Sequence, residues 1–159
     1  MKKRISKSMV MLMFALIIAF LTDAYVREII QEIFKWSTDN RIKFIGKGFE
    51  FYASDYYYLA IGMGFFFIAF DNVKRKSSEI IVNSLVALIL FCAAVFTLST
   101  IDASLKVAEC TSCDDGILEL QKNAVNYDLI VIVSVLIAII PNLFRITKMF
   151  IKLYRSYFS

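Results

Sequence analysis

The residues best suited to chemistry sit together in one short stretch, Cys110-Thr111-Ser112-Cys113-Asp114-Asp115-Gly116. A Cys-x-x-Cys pair in an oxidising compartment closes a small disulfide ring, which either staples a loop or cycles electrons. Cys110 and Cys113 are therefore the disulfide candidates and, as an alternative, a redox pair. The same stretch offers Cys110, Cys113, Asp114 and Asp115 as metal donors. Four donors in six positions are too compact to wrap a tetrahedral ion without strain. A hydrated Ca²⁺ at Asp114 and Asp115 has no EF-hand spacing behind it. No metal or cofactor is expected.

The chain contains no His. That removes the commonest general base and every Ser-His-Asp or Cys-His arrangement. Gly46-Lys47-Gly48 and Gly62-Met63-Gly64 lack the spacing and the strand-to-helix context of a phosphate loop. No catalytic site is read from the sequence.

The elements that must position the cysteines are apolar. Of 159 residues, 59% are hydrophobic and 15% aromatic, with a mean hydropathy of +0.67. Soluble domains run at about 45–50% apolar, so the excess marks a membrane protein. Four runs, residues 8–22, 56–70, 80–101 and 129–144, contain no Lys, Arg, Asp or Glu. A charge at the bilayer centre costs roughly 2.5–3.5 kcal/mol on the insertion scale, so such runs read as transmembrane helices. A core of about 30 Å needs roughly 20 residues. Only the third run spans unaided; the others borrow from their flanks, giving spans of about 8–26, 55–73, 80–101 and 127–146.

Basic residues orient these spans. Lys2, Lys3, Arg4 and Lys7 precede the first run, Lys74, Arg75 and Lys76 separate the second from the third, and Arg145, Lys148, Lys152 and Arg155 follow the fourth. With four helices all eleven fall on one side, against seven in the two longer opposite loops. The positive-inside rule places both termini in the cytoplasm of a plasma or inner-membrane protein. Only Asp71 and Glu79 accompany the basic side. Orientation and lipid headgroups explain the basic patches better than nucleic acid does.

The expected fold is an all-α integral membrane protein, a four-helix transmembrane bundle with both termini inside, forming one polytopic domain over 1–159. Its outer loops, 27–54 and 102–126, are expected to form a small cap with short β-hairpins. A cleaved signal peptide over residues 1–24 is the alternative reading of the first run, with Thr22-Asp23-Ala24 as the cleavage site.

Val26, Ile29, Ile30, Ile33 and Phe34 recur at helical spacing with charged residues between them. The first helix is thus expected to project past the membrane, or to bend near Thr22 and Asp23 and lie on its surface. Ser37-Thr38-Asp39-Asn40 reads as a turn, and 42–45 with 49–52 as a hairpin. Residues 117–120 read as a further short strand. Residues 71–79 form a tight turn that should make the second and third helices an antiparallel hairpin. Pro141 is expected to kink the last helix, and 147–159 to form an amphipathic cytoplasmic tail.

Asp23, Asp55 and Asp71 sit at run edges, where they are expected to mark the interfaces. Asn83, Ser84, Thr97, Ser99 and Ser134 are the polar groups within the spans, and the expected role is interhelical hydrogen bonding. Cys92, inside the third run, should be an inert apolar residue. Small residues four apart occur in every span: Ala15/Ala19, Ala60/Gly64, Ala93/Thr97 and Ser134/Ala138. They are the expected helix-packing positions, with at least one of Phe65, Phe66 and Phe67 facing lipid.

In architecture alone, four spans with outer cysteines resemble the quinone-linked disulfide oxidoreductases. Those enzymes relay electrons between two cysteine pairs, and only one outer pair is present here. In format, a small, basic, polytopic chain without enzymatic motifs is similar to the immunity proteins that protect cells from pore-forming bacteriocins. The leading expectation is a non-catalytic membrane protein of this or an accessory-subunit kind. It would act through the lipid bilayer and a membrane or extracytoplasmic protein partner, or as a homo-oligomer. A thiol-disulfide oxidoreductase and an oligomeric, holin-like pore are the alternatives.

Overall fold

The computed structural model describes residues 2–46, 55–73, 75–109 and 116–158. It is mostly helical, 84%, in four long helices: α1 (Lys2–Ser37), α2 (Asp55–Asn72), α3 (Ser77–Ala108) and α4 (Tyr127–Phe158). Two four-residue strands, β1 (Ile42–Ile45) and β2 (Leu118–Gln121), lie in the connections, and a 3₁₀ turn at Lys122–Ala124 leads into α4. Each charge-free run falls within a single helix. Glu79 in the first turn of α3, Asp128 in that of α4 and Lys106 and Arg155 in their last turns complement the helix dipoles.

Three helices are long and apolar enough to cross a membrane: Ile5–Ser37, Ser77–Ala108 and Tyr127–Lys152. At 1.5 Å per residue they measure about 40–50 Å, more than the hydrocarbon thickness. α2 is not among them. Its 18 residues carry three tyrosines at one end and Asp71-Asn72 at the other, which dilute the apolar middle. The outward faces are apolar: Val10, Leu21 and Ile89 are each 65–67% exposed. On a protein surrounded by water, ribs of this kind would form an aggregation-prone patch; against lipid they are the solvated face.

α1 is continuous through Thr22 and Asp23. It stops where Asp39 and Asn40 take left-handed φ angles of 50° and 59°, a conformation these two residue types tolerate. The amide of Asn40 closes on the Lys35 carbonyl at 2.9 Å, and the Thr38 hydroxyl donates to the Phe34 carbonyl at 2.8 Å. α4 runs through Pro141 as one helix.

The helices touch in a ring, α1 on α2, α2 on α4, α4 on α3 and α3 on α1, while α2 and α3 barely meet. This departs from the expected α2–α3 hairpin, and the glycines of α2 give the reason. A Cβ on Gly62 would meet Leu16 of α1 at 3.2 Å, and one on Gly64 would meet Val135 of α4 at 2.8 Å. Both close-approach edges of α2 are therefore occupied by α1 and α4, and α3 is held by α4 and α1.

β1 pairs in parallel with β2, Ile42 opposite Leu118 through Ile45 opposite Gln121. Parallel strands cannot be joined by a tight turn; here α2 and α3 intervene and bring the two connections to one end of the molecule. The 49–52 half of the expected hairpin lies outside the described residues. Phe34, Ile42, Leu120, Val125, Ile130 and Val131 are buried in one cluster with the strand pair.

Candidate functional site

Among the described residues, the side-chain hydrogen bonds that join different helices fall in two layers. The first is near the strands. Asp23, Arg27 and Gln31 follow at i, i+4 and i+8 on α1, so they share one face. Arg27 Nε donates to Asp23 Oδ1 at 3.0 Å, with both side chains more than nine-tenths buried. The Arg27 guanidinium also lies 5.0 Å from the centroid of the Tyr127 ring, a cation–π contact. Gln31 Nε2 donates to the Tyr127 hydroxyl at 2.7 Å, and that hydroxyl donates to the Lys122 carbonyl at 3.0 Å. Tyr57 of α2 is 1% exposed and meets the edge of Tyr58 at 5.5 Å.

The second layer lies 15–18 residues further along α4, or about 22–27 Å at the helical rise. Asp71 and Asn72 end α2, Arg75 sits in the following turn, Asn83 is two turns into α3, and Asn142 and Arg145 share a face of α4. Asn83 Nδ2 donates to Asn72 Oδ1 at 3.0 Å and to Asn142 Oδ1 at 2.7 Å. Arg145 Nη2 donates to Asn142 Oδ1 at 2.8 Å and to Asn83 Oδ1. Arg145 Nε donates to Asp71 Oδ2 at 2.8 Å. Arg75 reaches Asp71 and Glu79, each at 3.4 Å. Three asparagines that are buried (1–7% exposed) thus tie α2, α3 and α4 at one level.

Of the two layers, sequence reasoning picked out Asn83 as an interhelical hydrogen-bonding group and missed the rest. Asp23 and Asp71 are buried partners in ion pairs, beyond the interface markers they were expected to be. Arg75 and Arg145 are engaged within the protein. Asn72 and Asn142 gave no signal because their neighbours are far off in sequence. The one available hint was that an amide such as Asn83, inside an apolar run, must find partners.

The other expected positions divide. Ala15, Ala19, Ser134 and Ala138 are buried, and Gly64 is buried against Val135; Ala60 is half-buried. Ala93 and Thr97 are exposed, so they do not form the packing edge of α3. That edge carries Asn83, Ala87, Ala94, Val95, Ser99 and Ala103, which keep the helical repeat one position round. Thr97 and Ser134 bond to carbonyls of their own helices, the Ser99 hydroxyl is buried without a hydrogen-bond partner, and Ser84 is exposed. Only Asn83 of the five bonds across helices in the hydrogen bonds described. Phe65 is 36% exposed.

Cys92 is a free thiol on the exposed face of α3. Cys110, Cys113, Asp114 and Asp115 lie outside the described residues. Among the described residues, no group of three Cys, Asp or Glu side chains converges as metal ligands would. Comparison with protein families, curated proteins and solved structures gives no match.

Proposed function

We propose that the chain is a non-catalytic, multi-pass membrane protein that works by recognising another membrane component. In this reading all four helices cross the plasma or inner membrane, with α2 as the shortest span. Both termini face the cytoplasm, because the basic residues cluster at their end, and the strand pair forms a small cap outside. The role is that of an accessory subunit or of an immunity protein acting against a pore-forming bacteriocin.

The observation that supports this most is the Asn72–Asn83–Asn142 cluster bound to Arg145. The three asparagines are buried, and Asn83 bonds to both of the others. They hold helices together, as a scaffold requires. The apolar ribs of α1 and α3 then supply the surface a membrane partner would contact.

Purified protein in sealed liposomes tests the reading. It is expected to pass no ions beyond empty vesicles and to show no quinone-dependent cycling of Cys110 and Cys113. Steady ion flux, or full reversible cycling, would replace it with a pore or an oxidoreductase. Impermeant thiol reagents on intact cells test the orientation: Asn40→Cys should label and Lys148→Cys should not.

A further inference from the structure

Beside the second polar layer is a cavity of about 320 Å³, lined by Arg75, Ser78, Glu79, Val82, Asn83, Val86 and Arg145. It lies between the first turns of α3 and the middle of α4. Formally its charges balance, Arg75 and Arg145 against Asp71 and Glu79, but the two carboxylates are unequally shielded. Asp71 is the carboxylate buried at this level, its side chain 9% exposed, and it serves both guanidinium groups; Glu79 is half-exposed at the rim. A guanidinium beside lipid is costly unless an anion compensates it.

The hydrogen-bond donors, by contrast, are in excess. Arg75 Nε and Asn142 Nδ2 are buried and donate to no protein group. α3 begins here with no side-chain cap on its first turn, so its free amides add partial positive charge. One side of the cavity is apolar, because Val82 and Val86, one helical turn apart, are 60% and 42% exposed. Charge at one end and an aliphatic track leading away from it match an amphiphile better than a free ion.

We propose that this cavity binds the phosphate of an anionic phospholipid, held between Arg75 and Arg145, with an acyl chain lying along Val82 and Val86. The oxygens of a phosphodiester accept from guanidinium groups in the favoured paired geometry, which supplies the acceptors that the buried donors here lack. The site rests on the reading that these helices cross a bilayer, and it gives the protein–lipid part of that reading a definite ligand.

Native mass spectrometry of the full-length protein, released from micelles holding equal amounts of phosphatidylglycerol and phosphatidylcholine, provides the test. Wild type should retain one phosphatidylglycerol in preference to phosphatidylcholine. Arg75→Gln should lower that preference about fivefold, the effect of one basic residue near an anionic surface. Lys152→Gln, which removes a charge outside the cavity, should leave it unchanged. Ser78→Trp keeps both arginines and fills the cavity, so it must also lower the preference, and it decides the matter if Arg75→Gln does not fold. Undiminished preference in Ser78→Trp, equal loss in Lys152→Gln, or displacement of the lipid by inorganic phosphate would each overturn the proposal. Release of the wild-type chain from membranes by alkaline carbonate would strike the membrane reading itself; an inserted chain without lipid preference strikes only this site.

Discussion

The two polar layers solve the same problem, burying charge among apolar helices, by different routes. Near the strands, the ion pair is local: Asp23 and Arg27 are one turn apart on α1, and would meet in an isolated helix. Contact with α4 comes through the neutral Gln31–Tyr127 bond and the Tyr127 ring. In the far layer the local pairs of Arg75 with Asp71 and Glu79 are joined by a long-range one. Arg145 and Asp71 are 74 residues apart, and Asn83 joins partners 11 and 59 residues away. A local pair neutralises charge but says nothing about which helices adjoin. A long-range network forms only in one arrangement, so it specifies the order and register of the helices. The far layer is also the open one, with Arg145 35% exposed against 6% for Arg27, which suits it to a ligand.

The largest effect is expected from breaking the closed pair. Arg27→Met leaves Asp23 buried without its partner and should cost about 3–5 kcal/mol, read by thermal or denaturant unfolding in micelles. Replacing both, with Asp23→Leu added, should recover most of that loss, because the pair contributes little net stability once its desolvation is counted. A double mutant as unstable as the single would show that the pair does specify the fold.

Asn83→Ala comes next. It removes the hub of the far network, and at roughly 0.6–1.7 kcal/mol for each interhelical bond should cost about 2–4 kcal/mol. Unlike Arg27→Met, it should also loosen α3 from α4. Cysteine crosslinking between the two helices would then fall, and undiminished crosslinking would erase the contrast between the layers.

Gly64→Ala probes the seam that connects the layers. Its Cβ would fall 2.8 Å from Val135 Cγ1, and the overlap should cost about 1–3 kcal/mol. Gly62→Ala, with 3.2 Å to a flexible leucine terminus, should cost less. The smallest effect belongs to Lys43→Ala. Its ion pair with Glu119 joins the strands at 3.6 Å but is well exposed, so unfolding should shift by about 0–1 kcal/mol and less at high salt.

Much of the helical content was legible because lipid-compatible segments must be long and free of charge, and that is a property of consecutive residues. The end of α1 was legible for a similar reason, since Asp39 and Asn40 are suited to the backbone they adopt. Apart from Asn83, the layers were not. Asn72, Asn83 and Asn142 carry no periodic relation to one another, and Asp23 and Asp71 look like ordinary interface residues until their arginines are placed. Ala93 and Thr97 show how a small-residue pair misleads: the spacing fits a helix contact, yet the face was settled by where α1 and α4 stood.

What the chain determines by itself, then, is which segments become helices and where charge is kept out of them, because hydropathy and backbone hydrogen bonding act within a segment. Which helices become neighbours was decided by the tertiary structure. It placed Gly62 against α1 and Gly64 against α4, paired β1 with a strand 76 residues away, and joined Asn72, Asn142 and Arg145 through Asn83. Close approach and hydrogen-bond geometry depend on distances between segments, and a linear order of residues does not contain those distances.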